Sequence, residues 1–298
     1  MSAVIETERL TKRYGRTRGI EDLSFEVERG ELFGFLGPNG AGKTTTIRTL
    51  LDLLHPTRGS ARLFGLDSHR DSRAIRARLG NLPGEFSFDE RLTGAELLAF
   101  FARMRGMSGL GRATELAERF EADLSRRLKE LSRGNRQKVG LIQALFHDPE
   151  LVLLDEPTTG LDPLKQEEFL EVCTQLRERG ATVFLSSHEL DVVERICDRV
   201  GIIRAGRLVA VEDVDEMRSR AYRNVSIRFG GEVPAAAIEH VRGVADVTAE
   251  GMFVRCRVAG SLDGLIKAIA PYRIDDLEVT RPTLEELFLT YYGHGAQP

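Results

Sequence analysis

The sequence predicts an α/β protein with a mostly parallel sheet, followed by a small α+β unit. Two short, continuous apolar runs, Leu32–Leu36 and Leu151–Leu154, are typical of strands covered on both faces. Helical patterns alternate with such runs, which indicates parallel strands joined by helices. After about residue 218 the order becomes β-α-β-β-α-β, which is typical of a ferredoxin-like unit. We therefore expect two domains, 1–218 and 219–298.

The first part of the chain is predicted to form antiparallel strands. Val4–Leu10 and Gly19–Glu28 both have strand patterns, and apolar residues alternate with polar ones from Leu23 onward. Such alternation is typical of a strand with one exposed face. Ala61–Phe64 is predicted to be another short strand.

A mainly helical insert is expected at about 86–148. It overlaps Leu79–Arg91, which we predict to be irregular because it contains Pro83 and Gly84. Thr93 and Glu96 have the spacing of a capping box, so a helix is expected to begin there and run to about residue 105. Further helices are predicted over 112–130 and about 134–147, where Asp148-Pro149 ends the second of them.

Strands and helices alternate again beyond the insert. Asp162 and Pro163 favour a helix start, and Gly180 favours its end. The other elements predicted before residue 218 are a buried strand over Thr182–Leu185 and a hairpin of Val200–Arg204 with Arg207–Val211. Those predicted after it are strands Asn224–Phe229 and Ile274–Thr280, helices Pro234–Val241 and Leu262–Ile269, a hairpin over Asp246–Val258, and a last helix from Thr283 to about Tyr292.

The strongest functional signal is the stretch from Gly37 to Thr44, which matches G-x-x-x-x-G-K-[ST]. An apolar strand precedes it, and Thr45–Leu54 follows without helix breakers. In this context glycines let backbone N–H groups converge on an anion, and the helix N-terminus adds partial positive charge. Lys43 contributes a full charge, and the Thr44 hydroxyl can ligate Mg²⁺. The stretch therefore predicts a nucleotide site.

Polar residues follow two other predicted strands. Asp155 and Glu156 end one strand, and His188 ends the next. A carboxylate at the end of a buried strand needs a cation, which favours Asp155 as an indirect Mg²⁺ ligand, whereas Glu156 can orient or deprotonate a water. Two carboxylates can also simply cap a loop, and a lone histidine can be structural. The position of His188 favours a contact to the γ-phosphate.

Composition limits the possible partners. The chain has 298 residues and a formal net charge of −4, which argues against a nucleic acid as the main partner. A basic cluster near the N-terminus is more typical of a solvated loop; its members are Arg9, Lys12, Arg13, Arg16 and Arg18. Tyr14, within that loop, is either an ordinary loop aromatic or a platform on which adenine stacks.

The cysteine pattern indicates a reducing compartment. The hydropathy of the chain indicates that it does not itself span a membrane. Cys173, Cys197 and Cys256 lack metal-ligand spacing, so buried, inert thiols are expected. No signal peptide is recognised, and no run of 18 apolar residues is present. Any membrane role therefore requires another chain.

With these motifs assembled, residues 4 to about 218 resemble the nucleotide-binding subunit of an ATP-binding cassette (ABC) transporter. The loop from Gly37 resembles Walker A, and Leu151–Glu156 resembles Walker B with its catalytic glutamate. His188 resembles the switch histidine, and Tyr14 falls where the family has its adenine-stacking aromatic. The residues this resemblance implies in ATP binding are Tyr14, Gly37, Pro38, Asn39, Gly40, Ala41, Gly42, Lys43, Thr44 and Thr45.

Two further motifs complete the resemblance. Leu131–Asn135 resembles the family signature L-S-G-G-Q, and Thr159–Asp162 resembles the D-loop. The family's mechanism implies that two cassettes dimerise head to tail, so that the signature of one covers ATP held by the other. The signature residues implied to contact the partner's ATP are Ser132, Arg133, Gly134 and Asn135. Asp162 is the D-loop acid.

The sequence departs from the family pattern in two places. Arg133 and Asn135 replace Gly and Gln of the signature. Gly84 aligns with a glutamine that senses Mg²⁺ and links to the membrane subunit in the family. We expect Glu85, one residue later, to substitute for that glutamine.

The C-terminal part resembles the extension of daunorubicin-resistance-type exporter cassettes, on the evidence of Pro282–Phe288. The resemblance implies a Mg²⁺-dependent ATPase that powers an exporter of a drug, antibiotic or lipid-like compound. It also implies a homodimer of cassettes and a separate polytopic permease, with this subunit on the cytoplasmic face of the membrane. The alternative is a soluble cassette ATPase that acts on a protein or nucleic-acid assembly without transport.

Overall fold

A computed structural model of the chain describes residues 3–15, 17–84, 88–220 and 222–280. The chain divides into two compact units, Met1–Glu212 and Asp213–Pro298. The strands of the first unit are β1 (Ala3–Tyr14), β2 (Thr17–Glu28), β3 (Leu32–Leu36), β4 (Arg58–Leu63), β5 (Leu66–Asp67), β6 (Leu79–Leu82), β7 (Leu151–Asp155), β8 (Thr182–Ser187), β9 (Arg199–Arg204) and β10 (Arg207–Asp213). Its helices are α1 (Lys43–Leu50), α2 (Ser72–Ala77), α3 (Gly94–Met104), α4 (Gly111–Phe120), α5 (Arg133–Leu145), α6 (Pro163–Glu178) and α7 (Leu190–Ile196).

The first unit contains two sheets. An antiparallel sheet has the order β2-β1-β4-β5, as expected from the alternating patterns near the N-terminus. A six-stranded sheet has the order β10-β9-β3-β8-β7-β6. Within it, the strands β9, β3, β8, β7 and β6 are parallel to one another, which confirms the predicted mostly parallel sheet.

Aromatic packing joins the two sheets. Phe25 of β2 stacks on Phe33 and Phe35 of β3, with ring centroids 5.9 Å and 5.6 Å apart. Phe184 of β8 packs against the same rings, 5.7 Å from Phe33. Every residue of β3, β7 and β8 is buried, because one face meets this aromatic layer and the other meets helices. This core fixes the ends of the central strands, where the functional side chains lie.

Several local predictions are confirmed. The Thr93 side chain accepts from the Glu96 N–H, and the Glu96 side chain accepts from the Thr93 N–H, so the capping box begins α3. Asp162 caps α6 with Pro163 at its first position. The buried strands at Leu151 and Thr182 and the β9-β10 hairpin also form as expected.

Two predictions are wrong. Leu79–Arg91 is not irregular throughout, because Leu79–Leu82 forms β6 and pairs with β7. That strand is only four residues long, and its stability comes from distant pairing that local patterns do not show. Residues 112–130 are not one helix. α4 ends at Phe120, Glu121 adopts a left-handed φ of 52°, and a 3₁₀ turn follows at Leu128–Glu130.

The second unit has the ferredoxin-like order predicted from the sequence. Its four-stranded sheet is antiparallel throughout. Val225, Ile227, Val254 and Cys256 alternate into the core of this unit. Its elements are α8 (Val214–Arg220), β11 (Arg223–Phe229), α9 (Ala235–Glu239), β12 (Val244–Glu250), β13 (Phe253–Val258), α10 (Asp263–Ile269) and β14 (Ile274–Thr280), with the strand order β12-β13-β11-β14.

Three expectations remain: the C-terminal motif together with Glu85, the state of the cysteines, and the lack of a membrane-spanning helix. The predicted last helix from Thr283, the motif Pro282–Phe288 and Glu85 all fall outside the part of the chain that the structure describes. All three cysteines are buried and free, as expected. Over the described ranges, no helix combines the length and the apolar character that a membrane span requires.

Candidate functional site

The predicted phosphate loop joins the end of β3 to the start of α1. The Gly37 N–H donates to the Ser187 carbonyl at 3.2 Å, which holds the loop against the end of β8. A Cβ at Gly37 would lie 2.4 Å from the Ile203 carbonyl oxygen, so only glycine fits there. Gly40 and Gly42 adopt φ values of 78° and 114°, which favour glycine. The sequence therefore places glycine where this turn requires it.

Lys43 is the first residue of α1 and is almost fully buried. Its Nζ donates to the Gly37 carbonyl at 2.5 Å and to the Pro38 carbonyl at 3.3 Å. The same Nζ lies 3.0 Å from Oε1 of Glu156. The ammonium group therefore lies over the loop, held by two loop carbonyls and one carboxylate oxygen.

Glu156 and His188 form the second part of the site. The other carboxylate oxygen of Glu156, Oε2, lies 2.7 Å from Nδ1 of His188. Glu156 has a left-handed φ of 52°, and its N–H is held by the Ser186 carbonyl and hydroxyl, both at 3.2 Å. Because backbone in this region is strained for a non-glycine residue, the direction of the Glu156 side chain is set by the fold. A continuous chain of contacts therefore runs from Lys43 through Glu156 to His188.

Asp155 is buried at the end of β7. Its Oδ1 accepts from the Ser186 hydroxyl at 2.5 Å. A Cβ placed on Gly84 would lie 2.8 Å from its Oδ2, so the segment after β6 packs directly on the carboxylate. Sequence reasoning missed both Ser186 and this role of Gly84. The Ser186-Ser187 pair directly after an apolar run was the available signal for the first of them.

A cavity of about 230 Å³ lies over the loop. Tyr14 is at its rim with 45% of its side chain exposed, and its hydroxyl lies 3.5 Å from the Thr45 hydroxyl. An exposed ring beside a phosphate-type loop can stack on a planar base. The lining residues are Tyr14, Gly19, Pro38, Asn39, Gly40, Gly42, Lys43, Thr44, Thr45 and Glu156.

The segment from Ser132 to Asn135 begins α5. The Ser132 hydroxyl accepts from the Asn135 N–H at 3.2 Å, so it caps the helix. The Asn135 side chain bonds the backbone of Asp123 in both directions at 3.0 Å, which commits it to holding the segment rather than a ligand. A Cβ at Gly134 would lie 2.6 Å from the Gly160 carbonyl oxygen, so this helix start packs on the loop before α6. Ser132 does not line the cavity over the phosphate loop.

A larger cavity of about 630 Å³ lies between the phosphate loop and the segment that begins α5. Gln137 was missed in the sequence; its Nε2 donates to the carbonyls of Glu156 and Pro157 at 3.3 Å and 3.0 Å. It connects α5 to the loop that carries the carboxylate. Asp162 lies further on, where its Oδ1 caps α6 and its Oδ2 lies 3.9 Å from Lys138 Nζ. The cavity is lined by Asn39, Gly84, Arg133, Arg136, Gln137, Glu156, Thr159 and His188.

The arrangement has the parts needed for phosphate chemistry. Backbone N–H groups and Lys43 offer a binding place for an anion. Thr44 and Asp155 offer the oxygen ligands that Mg²⁺ prefers, and the burial of Asp155 next to a single hydroxyl donor leaves a carboxylate suited to a cation. Glu156 and His188 can orient a water.

Comparison with known proteins gives consistent matches. A family model described as ABC transporter matches residues 20–159. The bacitracin transport ATP-binding protein BcrA of Bacillus licheniformis is 34% identical over 99% of both chains. The daunorubicin resistance ATP-binding protein DrrA3 of Streptomyces coeruleorubidus is 36% identical over 95% of this chain and 93% of its own. A solved structure of the ATP-binding subunit of an ABC transporter superposes with a TM-score of 0.66 and 32% identity, over 72% of this chain and 92% of that one.

Proposed function

The chain belongs to the ABC transporter family, and we propose that it is the ATP-hydrolysing subunit that powers an exporter of a drug, an antibiotic or a lipid-like compound. The contacts from Lys43 through Glu156 to His188 carry this proposal. They connect a phosphate-binding cation, a candidate base and a candidate phosphate sensor across two cavities that share Glu156. The near full-length similarity to a bacitracin transport ATP-binding protein and to a daunorubicin resistance ATP-binding protein supports the class of transport.

ATP would occupy the cavity over the phosphate loop. Its phosphates would replace the carbonyls and the Glu156 carboxylate as partners of Lys43, because a triphosphate carries several negative charges, whereas the carbonyls are neutral and the carboxylate carries one. Tyr14 stacks on the adenine, and the N–H groups from Gly37 to Thr45 surround the phosphates. Released from Lys43, Glu156 is free to take its place as the base.

Thr44 and Asp155 would hold Mg²⁺, Asp155 through a water. When bound, the cation neutralises charge that develops on the phosphates. Ser186 keeps Asp155 oriented through its hydroxyl. Glu156 orients the attacking water and accepts its proton, while His188 holds the carboxylate in place at 2.7 Å and contacts the γ-phosphate.

The signature segment would act on a second copy of the chain. Ser132 does not line the cavity over its own phosphate loop, whereas its helix start is placed for donation to an anion. We therefore propose a head-to-tail homodimer in which Ser132, Arg133 and Gly134 contact ATP held by the partner copy. Asn135 supports that segment, and Asp162 holds the loop against which Gly134 packs.

A separate membrane-spanning permease completes the proposed transporter. This subunit would lie on the cytoplasmic face of the membrane and act as a peripheral partner. The C-terminal unit, which was expected from about residue 219 and begins at Asp213 in the structure, is proposed as an accessory domain. Glu85 is proposed to replace the glutamine that the family has near Gly84.

Glu156→Gln tests the enzyme and its assembly together. The amide keeps its size but accepts no proton, so hydrolysis should fall at least about a hundredfold while ATP still binds. Light scattering with ATP and Mg²⁺ should then report a dimer. A monomer under these conditions would contradict the head-to-tail arrangement.

The same variant tests the transport function. Affinity purification of Glu156→Gln from native membranes with ATP should co-purify a polytopic membrane protein. Lys43→Ala, in which ATP binding is expected to be severely weakened, serves as the matched control. Recovery of ribosomal, DNA-associated or soluble proteins alone would leave the ATPase intact and overturn the transport proposal.

A further inference from the structure

Away from the phosphate loop, three side chains with metal-binding atoms meet. Oδ1 of Asp52 lies 3.0 Å from Nδ1 of His55 and 2.9 Å from Nδ1 of His69. The three ligand atoms all lie within 4.8 Å of one another. The imidazole rings meet edge to face, with centroids 4.7 Å apart. Within the described ranges, no other group of three His, Cys, Asp or Glu side chains is arranged in this way.

The first two members stand on the turn that follows α1. Asp52 has a left-handed φ of 57°, and its N–H donates to the Thr49 carbonyl at 3.1 Å. The His55 carbonyl accepts from Lys12 Nζ at 2.8 Å. The turn is therefore fixed on both sides, and the Asp52 carboxylate is only 10% exposed.

The third member stands on a separate turn after β5. Oδ1 of Asp67 accepts from the N–H groups of His69 and Arg70 at 3.0 Å and 2.9 Å. The Ser68 N–H bonds the Ala61 carbonyl at 3.0 Å. Two rigid turns thus bring the three ligand atoms together without help from a common helix.

The donor set selects a class of cation. Two imidazole nitrogens and one carboxylate oxygen suit Zn²⁺, Ni²⁺ or Cu²⁺, whereas Mg²⁺ and Ca²⁺ prefer oxygen alone. A metal with bonds of about 2.0–2.1 Å holds neighbouring ligand atoms about 2.9–3.4 Å apart, so the separations of 2.9 Å and 3.0 Å between Oδ1 and the two Nδ1 atoms need only a small adjustment. The side chains of His55 and His69 are 70% and 63% exposed, which leaves space for water to complete the coordination.

We propose that Asp52, His55 and His69 bind one divalent transition-metal ion, of which Zn²⁺ is the representative. In the metal-free protein Oδ1 accepts a hydrogen bond from each ring whose Nδ1 carries the proton. On binding, a neutral imidazole carries its proton on Nε2 instead, and Nδ1 gives its lone pair to the metal. An imidazolium releases one proton to solvent. Arg76, whose Nη2 lies 4.0 Å from Oδ2 of Asp52, limits the affinity but leaves Oδ1 available.

The site would brace the end of α1 that lies away from the phosphate loop. α1 begins at Lys43, and the turn with Asp52 follows its last residue. A metal bound there ties this turn to the turn of His69. The expected result is a structural cation site that raises the melting temperature without taking part in hydrolysis.

Calorimetric titration of the metal-stripped full chain with ZnCl₂, in buffer free of phosphate and nucleotide, tests the site. One Zn²⁺ per chain should bind to the wild type. His55→Ala and His69→Ala should each weaken binding at least about tenfold. His240→Ala, which removes a histidine from the other unit, should leave the affinity unchanged.

A conservative variant separates ligand loss from misfolding. Asp52→Asn keeps the left-handed turn, which asparagine tolerates, and removes only the charge. It should melt like the wild type without metal and lose the rise in melting temperature that Zn²⁺ produces. Equal Zn²⁺ affinity in wild type and His69→Ala, no saturable binding to the wild type, or equal affinity for Mg²⁺ and Zn²⁺ would each overturn the proposal.

Discussion

A glutamate flanks the strand β7 at each end. The two side chains are chemically identical, but they differ in their partners and in whether they face a cavity. Glu150, before the strand, accepts from the Arg78 guanidinium at 2.7 Å and 2.8 Å. Glu156, after it, lies 3.0 Å from Lys43 and 2.7 Å from His188, facing the cavities of the site. Charges at the amino end of the sheet bind each other, whereas charges at the carboxyl end have partners that a ligand can replace.

The same contrast extends along the sheet. Before β3, Glu31 pairs with Arg199 at 3.2 Å, and its other contact is the Glu28 N–H. Burial raises the pKa of Glu31 even though these partners oppose the shift. Asp198 accepts from the Leu32 N–H at 2.8 Å. These groups hold the starts of β3 and β9 together, and their hydrogen-bonding atoms are used by each other rather than offered to a ligand.

The difference follows from the fold. Parallel strands that alternate with helices deliver their carboxyl ends to helix N-termini, where backbone N–H groups lack partners. The amino ends receive chain from helix C-termini through short turns, which acids and arginines can close. Identical residue types therefore serve binding at one edge and stability at the other.

The largest effect is expected for Lys43→Ala. Removing the cation that closes the phosphate loop should lower ATP hydrolysis by about 10²–10³-fold and weaken nucleotide binding. Binding of a fluorescent ATP analogue and steady-state turnover measure the two effects. Unchanged ATP affinity would contradict the assignment of the carboxyl end as the nucleotide site.

Lys165→Ala is the matched control. Its Nζ also bonds a backbone carbonyl, that of Arg119 at 3.1 Å, and a carboxylate, that of Glu121 at 2.7 Å. It stands on α6 and not at the phosphate loop, so its loss should leave turnover within about twofold, as for a surface ion pair.

The second largest effect is expected for His147, near the amino end of β7, and it is an effect of pH on the free energy of unfolding. Burial, with a smaller part from Arg105, lowers the pKa of His147 to about 4, while its Nε2 donates to the Leu79 carbonyl at 3.2 Å. The unfolded chain has an ordinary histidine pKa near 6.5 and so binds more protons between pH 4 and 6.5. Stability should therefore be complete above pH 6.5 and fall by up to about 3 kcal/mol as the pH drops to 4.

His147→Gln provides the comparison. Glutamine keeps a donor for the carbonyl but does not titrate, so urea unfolding of the variant should lose less stability over that pH range. His240→Gln, on an exposed helix end of the other unit, should behave like the wild type. Parallel pH profiles for wild type and His147→Gln would contradict the role of burial.

The sequence predicted the residues at the carboxyl ends of the parallel strands better than those at the amino ends. The glycines, Lys43 and Glu156 stand in a contiguous pattern whose spacing is dictated by one anion. Arg78 precedes β6 and Glu150 precedes β7, so their pairing depends on β6, which is stabilised by contacts distant in the chain. Gly84 was understood only as a missing glutamine, because its packing on Asp155 exists only in three dimensions.

Gly84→Gln sharpens the carboxyl-end assignment with a smaller expected effect. Because a Cβ at this position would lie 2.8 Å from Oδ2 of Asp155, restoring the family's glutamine should displace the carboxylate rather than help it. Turnover should fall about tenfold, with a higher Mg²⁺ concentration needed for half-maximal rate. Gly109→Gln, where a Cβ would meet nothing within 4 Å, is the control. A faster enzyme would show that the loop has space for the glutamine.

The smallest effect is expected for Glu150→Gln, which is the same chemical change as Glu156→Gln at the other end of β7. The side-chain bond from Arg78, more than that from Arg29, lowers the pKa of Glu150 to about 2, so its stabilisation is present above pH 4.5 and lost as the pH falls toward 2. The side chain is 44% exposed and therefore screened by solvent, so the loss at neutral pH should be only about 0.2–1 kcal/mol. Chemical unfolding measures this loss, and turnover should match the wild type. A hundredfold drop in turnover from this variant would erase the distinction between the two ends of the strand, because one glutamate would then be as necessary to hydrolysis as the other.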